Sequence, residues 1–290
     1  MSDLLQQAFN GLVNGSFYAL LALGLAVIFG MLGVVNFAHG AFYMLGAFGA
    51  FILLNEAGVS FWVALVVVPL LLGAFGMVLE RLLVRRLAAL DPLYNFLLTF
   101  GLTLIFQDLL RMKYGVQPQQ YPQPAGLRGT VNLGLFDFPA YQVFVLVFSV
   151  VVSLGAWLLL ARTRIGMIIR AATERPEVTR AMGIDVGRWI SPVFGFGIAL
   201  AALSGVLAAP MRAVSPLMGA DLIILVFAVV VIGGLGSIFG SVAAGFLIGM
   251  LQALLNVYVP GLATTSVFIL MAAVLLWRPA GLFGREEASV

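Results

Sequence analysis

RTRIGMIIRAATERPEVTRAMGIDVGR, residues 162–188, is the longest strongly charged run in a chain that is otherwise apolar. Six of the fifteen basic residues lie in this segment, and long apolar stretches flank it on both sides. Lys and Arg in loops between membrane spans resist translocation, so such loops normally face the cytoplasm. Residues 162–188 are therefore predicted to lie on the cytoplasmic side of a membrane.

The same segment carries the signals of a short helix. Thr173 can cap an N-terminus, and Pro176 is tolerated in a first turn. Glu174 and Glu177 would place negative charge in that turn, where the helix dipole favours it. Gly183 can adopt the left-handed conformation that closes a helix. These signals predict one helix of about nine residues, roughly 13 Å long, outside the bilayer.

One face of this predicted helix is small and apolar. Val178, Ala181 and Met182 share that face because they are spaced i, i+3 and i+4. Such a face fits a helix that docks on a partner protein. A helix that rests on lipid headgroups would show the same pattern, and the segment alone leaves both interpretations open.

The composition predicts an all-α polytopic membrane protein. Of the 290 residues, 62% are hydrophobic and 9% are charged, whereas a soluble domain has about 25% charged residues. Residues 4–55 hold no Asp, Glu, Lys or Arg. As one helix they would be about 78 Å long, against a hydrocarbon core of about 30 Å, so the chain must fold back. The expected break is GMLGVVNFAHG, residues 30–40, which contains Asn36 and His39.

Applied to the whole chain, hydropathy and breaker residues predict about nine transmembrane helices, with eight to ten as the range. The chain is interpreted as one transmembrane domain, residues 1–290. The polar stretch 113–139 is proline-rich and is predicted to be an external loop. The predicted spans cover residues 12–31, 41–54, 61–79, 92–110, 141–161, 190–211, 222–232, 241–258 and 264–277.

Charge placement supports this topology. The loops assigned to the cytoplasm hold eleven basic residues, and the external segments hold four: Arg111, Lys113, Arg128 and Arg212. Arg278 and Arg285 put the C-terminus in the cytoplasm, so nine spans place the N-terminus outside. Spans 1–4 and 6–9 each contain a pair joined by a glycine-rich break, and an offset of five spans would make any repeat an inverted one.

Motifs that are absent from the sequence exclude several classes of transporter and enzyme. The one lysine, Lys113, precedes Tyr114, so no phosphate-binding P-loop is present. Ion-coupled carriers usually need an intramembrane carboxylate. All twelve acidic residues are predicted at span ends or in loops, with Asp108 the deepest and Arg111 its local partner. His39 is the one histidine, so neither a metal site nor a catalytic site is expected. A passive pathway remains, or a pathway driven by another polypeptide.

Four blocks of sequence carry a family resemblance. GSFYALLALGLAVIFGMLGVVNFAHGAFYMLGAF, residues 15–48, resembles the opening of the LivH-type permeases of branched-chain amino acid ABC importers, and NFAHG is its most specific part. Residues 162–185 resemble the cytoplasmic coupling segment of that family. GGLGSIFGSVAAGFLIG, residues 233–249, and RPAGLFG, residues 278–284, match as well. The blocks occur in the family's order over nearly the whole chain.

The resemblance implies an ABC-importer permease fold in a bacterial inner membrane and the partners that supply its energy. These are a second, LivM-like permease, two cytoplasmic ATPases that bind the ATP, and an external binding protein that delivers leucine, isoleucine or valine. No cofactor is expected on this chain. The residues implied in ATPase coupling are Arg170, Ala171, Glu174, Glu177, Val178, Ala181, Met182 and Gly183.

The helix breaks are the candidate translocation pathway, but they also have structural interpretations. Asn36, Phe37, His39 and Gly40 could line the route, or Asn36 and His39 could tie the break together by capping. Gly233 and Gly236 could line it too, although glycines there more often permit close helix approach. A self-contained channel for a small neutral solute such as urea, or a related permease for urea or amides, remains the alternative function.

Overall fold

The computed structural model of the chain describes residues 2–33, 35–87, 90–132, 137–174 and 176–284. Arg175 and Arg285, two of the arginines predicted to be cytoplasmic, lie outside these residues. A helix occurs at each of the nine predicted spans. The helices are α1 (Ser2–Leu32), α2 (Ala38–Ala57), α3 (Phe61–Leu79), α4 (Pro92–Tyr114), α5 (Ala140–Arg162), α6 (Arg164–Glu174), α7 (Pro176–Ala181), α8 (Val186–Ala208), α9 (Met218–Gly233), α10 (Ile238–Tyr258) and α11 (Thr265–Trp277).

The fold is that of an all-α polytopic membrane protein, as predicted. Seven of the described helices are long and apolar enough to cross a membrane, and α9 and α11 are shorter apolar helices of 16 and 13 residues. Whether both short helices cross the membrane stays a prediction. The described strands are β1 (Thr130–Asn132) and β2 (Asp137–Pro139), which form a small antiparallel hairpin before α5.

Helix α8 forms the centre of the bundle and packs against α1, α2 and α3. Small residues allow these close contacts: a Cβ on Gly205 would overlap the Tyr43 carbonyl oxygen, and a Cβ on Gly46 would lie 2.7 Å from Ala202 Cα. Within a bilayer, helices associate largely through van der Waals packing of this kind. Helices α4 and α5 are outer helices, with much of their apolar surface exposed.

The two ends of the bundle differ in character. One end, the loop side, carries residues 113–132 and the N-terminal part of α1, where the Phe9 ring lies 4.2 Å from the Phe138 ring. The loop is folded onto the helices, because Gln119 and Val214 exchange two backbone hydrogen bonds of 2.8 Å. Tyr121 is buried there, and burial raises the pKa of its phenol. The other end, the basic side, carries residues 80–87, 162–174, 176–186 and 278–284.

The predicted start of the helix between Thr173 and Gly183 is wrong. The structure has two helices there, α6 ending at Glu174 and α7 beginning at Pro176, and Thr173 lies in the last turn of α6 instead of capping α7. Thr173 therefore lies inside a helical segment, where it cannot act as an N-cap. The sequence reading missed α6 itself, which buries Ile169 and Ala172.

That Asp108 is the acidic residue deepest in the membrane stays a prediction, because exposure does not measure membrane depth. Its side chain is 69% exposed, and it pairs with Arg111 at 3.7 Å as expected. Among the acidic side chains that the structure describes, Glu80 is the fully buried one, at the basic end of α3, where a π-helical turn, Glu80–Val84, continues the helix. Its carboxylate accepts two hydrogen bonds from Arg85, at 3.0 and 3.2 Å, and one from the Ser191 hydroxyl. This cluster joins α3 to the start of α8.

Candidate functional site

The break between α1 and α2 lies where the sequence predicts it. The chain leaves α1 at Leu32 and begins α2 at Ala38. Asn36 is 3% exposed, and its Oδ1 accepts a hydrogen bond of 3.1 Å from the Ala38 backbone N–H. The Asn36 carbonyl accepts another, also 3.1 Å, from the His39 N–H. Asn36 therefore organises the first turn of α2, while its Nδ2 has no hydrogen-bond partner in the described part of the chain.

His39 ties α2 to α1. The ring is fully buried, and Nε2 lies 3.0 Å from the Leu21 carbonyl oxygen. A carbonyl only accepts, so Nε2 carries the proton and Nδ1 is left as an acceptor. Leu21 is eleven residues before the end of α1, so α2 begins roughly 17 Å inside the end of α1. Gly40, in the same turn, packs so closely on the start of α9 that a Cβ would overlap the Gly219 carbonyl oxygen.

A polar stripe on α4 faces this break. Its members recur every fourth residue, so they share one face of the helix, and each is less than a tenth exposed: Asn95, Thr99, Thr103 and Gln107. Thr99 Oγ1 accepts a hydrogen bond of 3.3 Å from the Phe37 N–H, and Thr103 Oγ1 lies 3.4 Å from the Phe37 carbonyl oxygen. The sequence reading missed this stripe, although its spacing in an apolar span was a visible signal.

The stripe and the break leave part of their hydrogen-bonding capacity unused. Asn95 Oδ1, like Asn36 Nδ2, has no hydrogen-bond partner in the described part of the chain. Such groups are uncommon inside folded proteins and are costly in an apolar environment. The Phe37 ring meets the Phe96 ring edge-on at 4.8 Å between centroids. The break thus combines aromatic surface with spare polar groups, which suits a route for a small amphipathic solute.

We expect Asn36→Ser to separate the two roles of Asn36. A serine hydroxyl can accept the same hydrogen bond from the Ala38 N–H, so the variant should accumulate normally in the membrane. It lacks Nδ2, and uptake should fall severalfold if that donor serves transport. Asn36→Leu removes this hydrogen bond as well, a loss of about 1 kcal/mol, and should accumulate less. The checks are immunoblots of membranes and initial uptake rates. Normal uptake by both variants would remove Asn36 from the pathway.

The second glycine-rich break, with Gly233 and Gly236, lies on the basic side. A Cβ on Gly233 would come within 2.5 Å of the Gly240 carbonyl carbon, and Gly236 adopts a left-handed φ of 80°. The C-terminal segment covers this break: Leu282 N–H donates to the Ile232 carbonyl at 2.9 Å, and Phe283 N–H to the Gly233 carbonyl at 3.1 Å. This is the geometry of close helix approach. A role for these glycines in the pathway stays a prediction.

The coupling segment, residues 162–188, lies across the basic side. Arg170, in α6, donates hydrogen bonds to the carbonyls of Leu160 and Ala161, the latter at 3.3 Å. These carbonyls belong to the last turn of α5, where helical carbonyls lack intrahelical partners. Arg170 therefore fastens α6 against the end of α5, and Ala171 beside it is exposed.

Helix α7 presents the predicted apolar face. Val178 is 52% exposed, Met182 is 76% exposed, and Ala181 between them is exposed too. Thr179 on the other side of the helix is buried. Gly183 closes the helix with a left-handed φ of 82°, as predicted, and the Ile184 N–H reaches back to the Thr179 carbonyl at 3.3 Å. The side chains of Glu174 and Glu177 lie outside the described part of the segment.

Comparison with known proteins identifies the family. Residues 7–277 match the family of branched-chain amino acid transport system / permease components. The chain belongs to this family. The match covers the two breaks, the stripe on α4 and the coupling segment. Membership of this family agrees with the prediction of a multi-pass membrane protein that is a transport subunit rather than an enzyme.

Two of the relatives, BraD and LivH, match over almost their whole length. The permease protein BraD of the high-affinity branched-chain amino acid transport system of Pseudomonas aeruginosa is 31% identical, over 98% of this chain and 96% of BraD. The LivH permease of Escherichia coli is 29% identical over the same shares. LivM of Escherichia coli is 28% identical, over 91% of this chain and 67% of LivM. These matches confirm the resemblance that the four sequence blocks indicated.

Proposed function

We propose that this permease is the transmembrane subunit of an ATP-driven importer that moves branched-chain, hydrophobic amino acids into the cytoplasm. The observation that carries the proposal is the near full-length similarity to permease subunits named for that transport. A helix break with spare polar groups beside aromatic rings supports it, because a branched-chain amino acid is a small solute with one polar and one apolar end.

The apolar face of α7 supports the proposal that ATPases are partners of this permease. Val178, Ala181 and Met182 lie on the basic side beyond the ends of the spans, where water, not lipid tails, would surround them. Burying such a face on a partner is favourable, and exposed apolar patches commonly mark interaction sites. We infer that two cytoplasmic ATPases bind ATP, that one of them docks on this face, and that this chain binds no cofactor.

The docking face is connected to the centre of the bundle. Only four residues separate Ala181 from Val186, the first residue of α8, and α8 packs against α1, α2 and α3. Arg85 at the end of α3 donates to the Gly187 carbonyl at 2.9 Å, so the start of α8 is held to α3. A displacement of α7 would therefore move the central helix, which is what coupling requires.

The remaining partners and the location complete the proposal. A second, LivM-like permease pairs with this chain, and the similarity of LivM to it suits two related subunits around one route. An external binding protein delivers the amino acid on the loop side. The complex lies in the bacterial inner membrane, with the N-terminus outside and the C-terminus in the cytoplasm. The route passes Asn36, Phe37, His39 and Gly40.

Reporter fusions test the orientation. The basic side of the bundle should be cytoplasmic, so fusions after Arg86 and after residue 174 should give a cytoplasmic signal, and one after Gln120 an external signal. The physical reason is the excess of Lys and Arg on the basic side. An external signal after residue 174 would overturn the orientation and the placement of the ATPases together.

Reconstitution tests the function. We expect leucine uptake into liposomes to require this permease, its second permease, both ATPases, ATP and the binding protein. The matched control omits ATP from the same vesicles, and urea serves as the competing solute. Uptake of leucine or urea by this chain alone would support the self-contained channel instead. ATP-driven uptake of urea but not leucine would support an importer but show that the proposed substrate is wrong.

A further inference from the structure

Arg212 lies in the connection between α8 and α9, and its side chain packs among the helices. The sequence reading placed it in an external loop. Its Nη2 donates a 2.9 Å hydrogen bond to Asn14 Oδ1, and its guanidinium carbon lies 5.5 Å from the centre of the Phe17 ring. Asn14, Phe17 and Tyr18 are spaced i, i+3 and i+4, so they share one face of α1. They lie near the middle of its apolar stretch, Leu4–Leu32.

No carboxylate balances this charge among the side chains that the structure describes. The carboxylates in ion pairs are Glu56, Glu80, Asp108 and Asp185, and each of them pairs with another residue. An arginine cannot lose its proton in a protein, and a charged side chain within a membrane span is costly and usually functional. The Asn14 oxygen and the Phe17 ring face offset the charge only in part.

The surroundings of Arg212 also offer an unused hydrogen-bond donor. Tyr43 in α2 interacts electrostatically with Arg212. Its hydroxyl is fully buried, and its oxygen can accept a hydrogen bond from the Arg212 guanidinium, while its O–H donates to no acceptor in the described part of the chain. Arg212 itself is only partly buried. A guanidinium and a phenol hydroxyl together form a site for an anion.

We propose that Arg212 and Tyr43 bind the α-carboxylate of the transported amino acid. A guanidinium pairs with a carboxylate through two parallel hydrogen bonds, and the Tyr43 hydroxyl can donate a third. The bound carboxylate supplies the negative charge that the site lacks. This inference rests on the proposed function, because urea or a neutral amide would leave Arg212 uncompensated.

The first test changes the charge in the complete reconstituted transporter. We expect Arg212→Gln to lower leucine uptake at least roughly tenfold, because it removes the charge-assisted pair between the guanidinium and the substrate carboxylate. Uptake by Arg212→Lys should lie between that of wild type and that of Arg212→Gln. Tyr43→Phe should raise the leucine concentration needed for half-maximal uptake. The matched control is Arg128→Gln, which changes an exposed arginine in the loop. Equal uptake by Arg212→Gln and the control would overturn the inference.

The second test restores the positive charge at position 212 chemically. It compares one variant before and after labelling, so differences in stability between variants do not affect it. The chain has no cysteine, so Arg212→Cys gives it a single thiol. Aminoethyl methanethiosulfonate adds a positive charge there and should recover uptake. Sulfonatoethyl methanethiosulfonate adds a negative one and should not. Leucine should slow the labelling, and leucinamide, which lacks the carboxylate, should not. Equal recovery with both reagents, or equal protection by both ligands, would refute carboxylate binding.

The wild-type complex separates this inference from the proposed function. Leucine uptake by wild type together with unchanged uptake by Arg212→Gln would reject the carboxylate site and leave the importer standing. Absence of any ATP-driven uptake of branched-chain amino acids by wild type would reject the proposed function, and the inference with it. Stimulation of ATP hydrolysis by the loaded binding protein should survive in Arg212→Gln, whereas misfolding would abolish it.

Discussion

Valine at Gly205 should prevent the permease from accumulating in the membrane. A Cβ at this position would overlap the Tyr43 carbonyl oxygen and lie 2.9 Å from the Ala47 backbone nitrogen. Backbone atoms cannot rotate away as a side chain can, so α2 and α8 would have to separate. Overpacking of this kind typically costs about 1–3 kcal/mol and occasionally more, and the central position of α8 favours the upper end. The measurement is the amount and thermal stability of protein extracted from membranes.

Gly155→Val in α5 is the matched control for Gly205→Val. It makes the same change in a membrane helix, but a Cβ on Gly155 meets no atom within 4 Å. We expect the control to accumulate like wild type. If both variants accumulate equally, the close contact between α2 and α8 is not what holds the centre of the bundle together.

The positions of the spans could be predicted because they depend on local composition. A charge-free stretch longer than the bilayer must contain a break, and glycine with polar residues shows where it lies, as at residues 33–37. The depth at which α2 begins could not be predicted. It depends on the hydrogen bond from His39 to the Leu21 carbonyl and on the contact of Gly40 with Gly219, both between residues distant in sequence.

The sequence predicted the apolar face of the coupling segment but not the bounds of its helices. The spacing of Val178, Ala181 and Met182 indicated an apolar face, and the structure exposes all three. Thr173 and Glu174 belong to α6 instead, and the burial of Ile169 and Ala172 in that helix depends on packing that the local sequence does not show.

Arg212 shows why part of the candidate site could not be predicted from the sequence. Counting basic residues treats every arginine outside a span as part of a solvated loop. The connection after α8 instead brings Arg212 against α1, where Asn14 accepts its hydrogen bond. The stripe on α4 was accessible in principle, since Asn95 to Gln107 recur every fourth residue. What it faces depends on the packing of α4 against the break.

Arginine at Ala181 should abolish ATP-driven transport without affecting insertion. The residue lies on the exposed face of α7 between Val178 and Met182, so the proposed ATPase interface would bury the new charge without a partner, a loss of several kcal/mol. Gly183→Val should act in the same direction. A Cβ there meets no atom within 4 Å, so its penalty of roughly 1–2 kcal/mol comes from the left-handed backbone alone.

Co-purification of the ATPases and transport-linked ATP hydrolysis measure the effect of Ala181→Arg. The matched control is Ala125→Arg, which adds the same charge to an exposed residue of the loop on the opposite side. We expect the control to keep both its ATPases and its uptake. A helix that only rests on lipid headgroups would tolerate Ala181→Arg, because arginine is stable among headgroups. Full transport by Ala181→Arg would therefore place α7 at the membrane surface and leave the ATPases to dock elsewhere on the basic side.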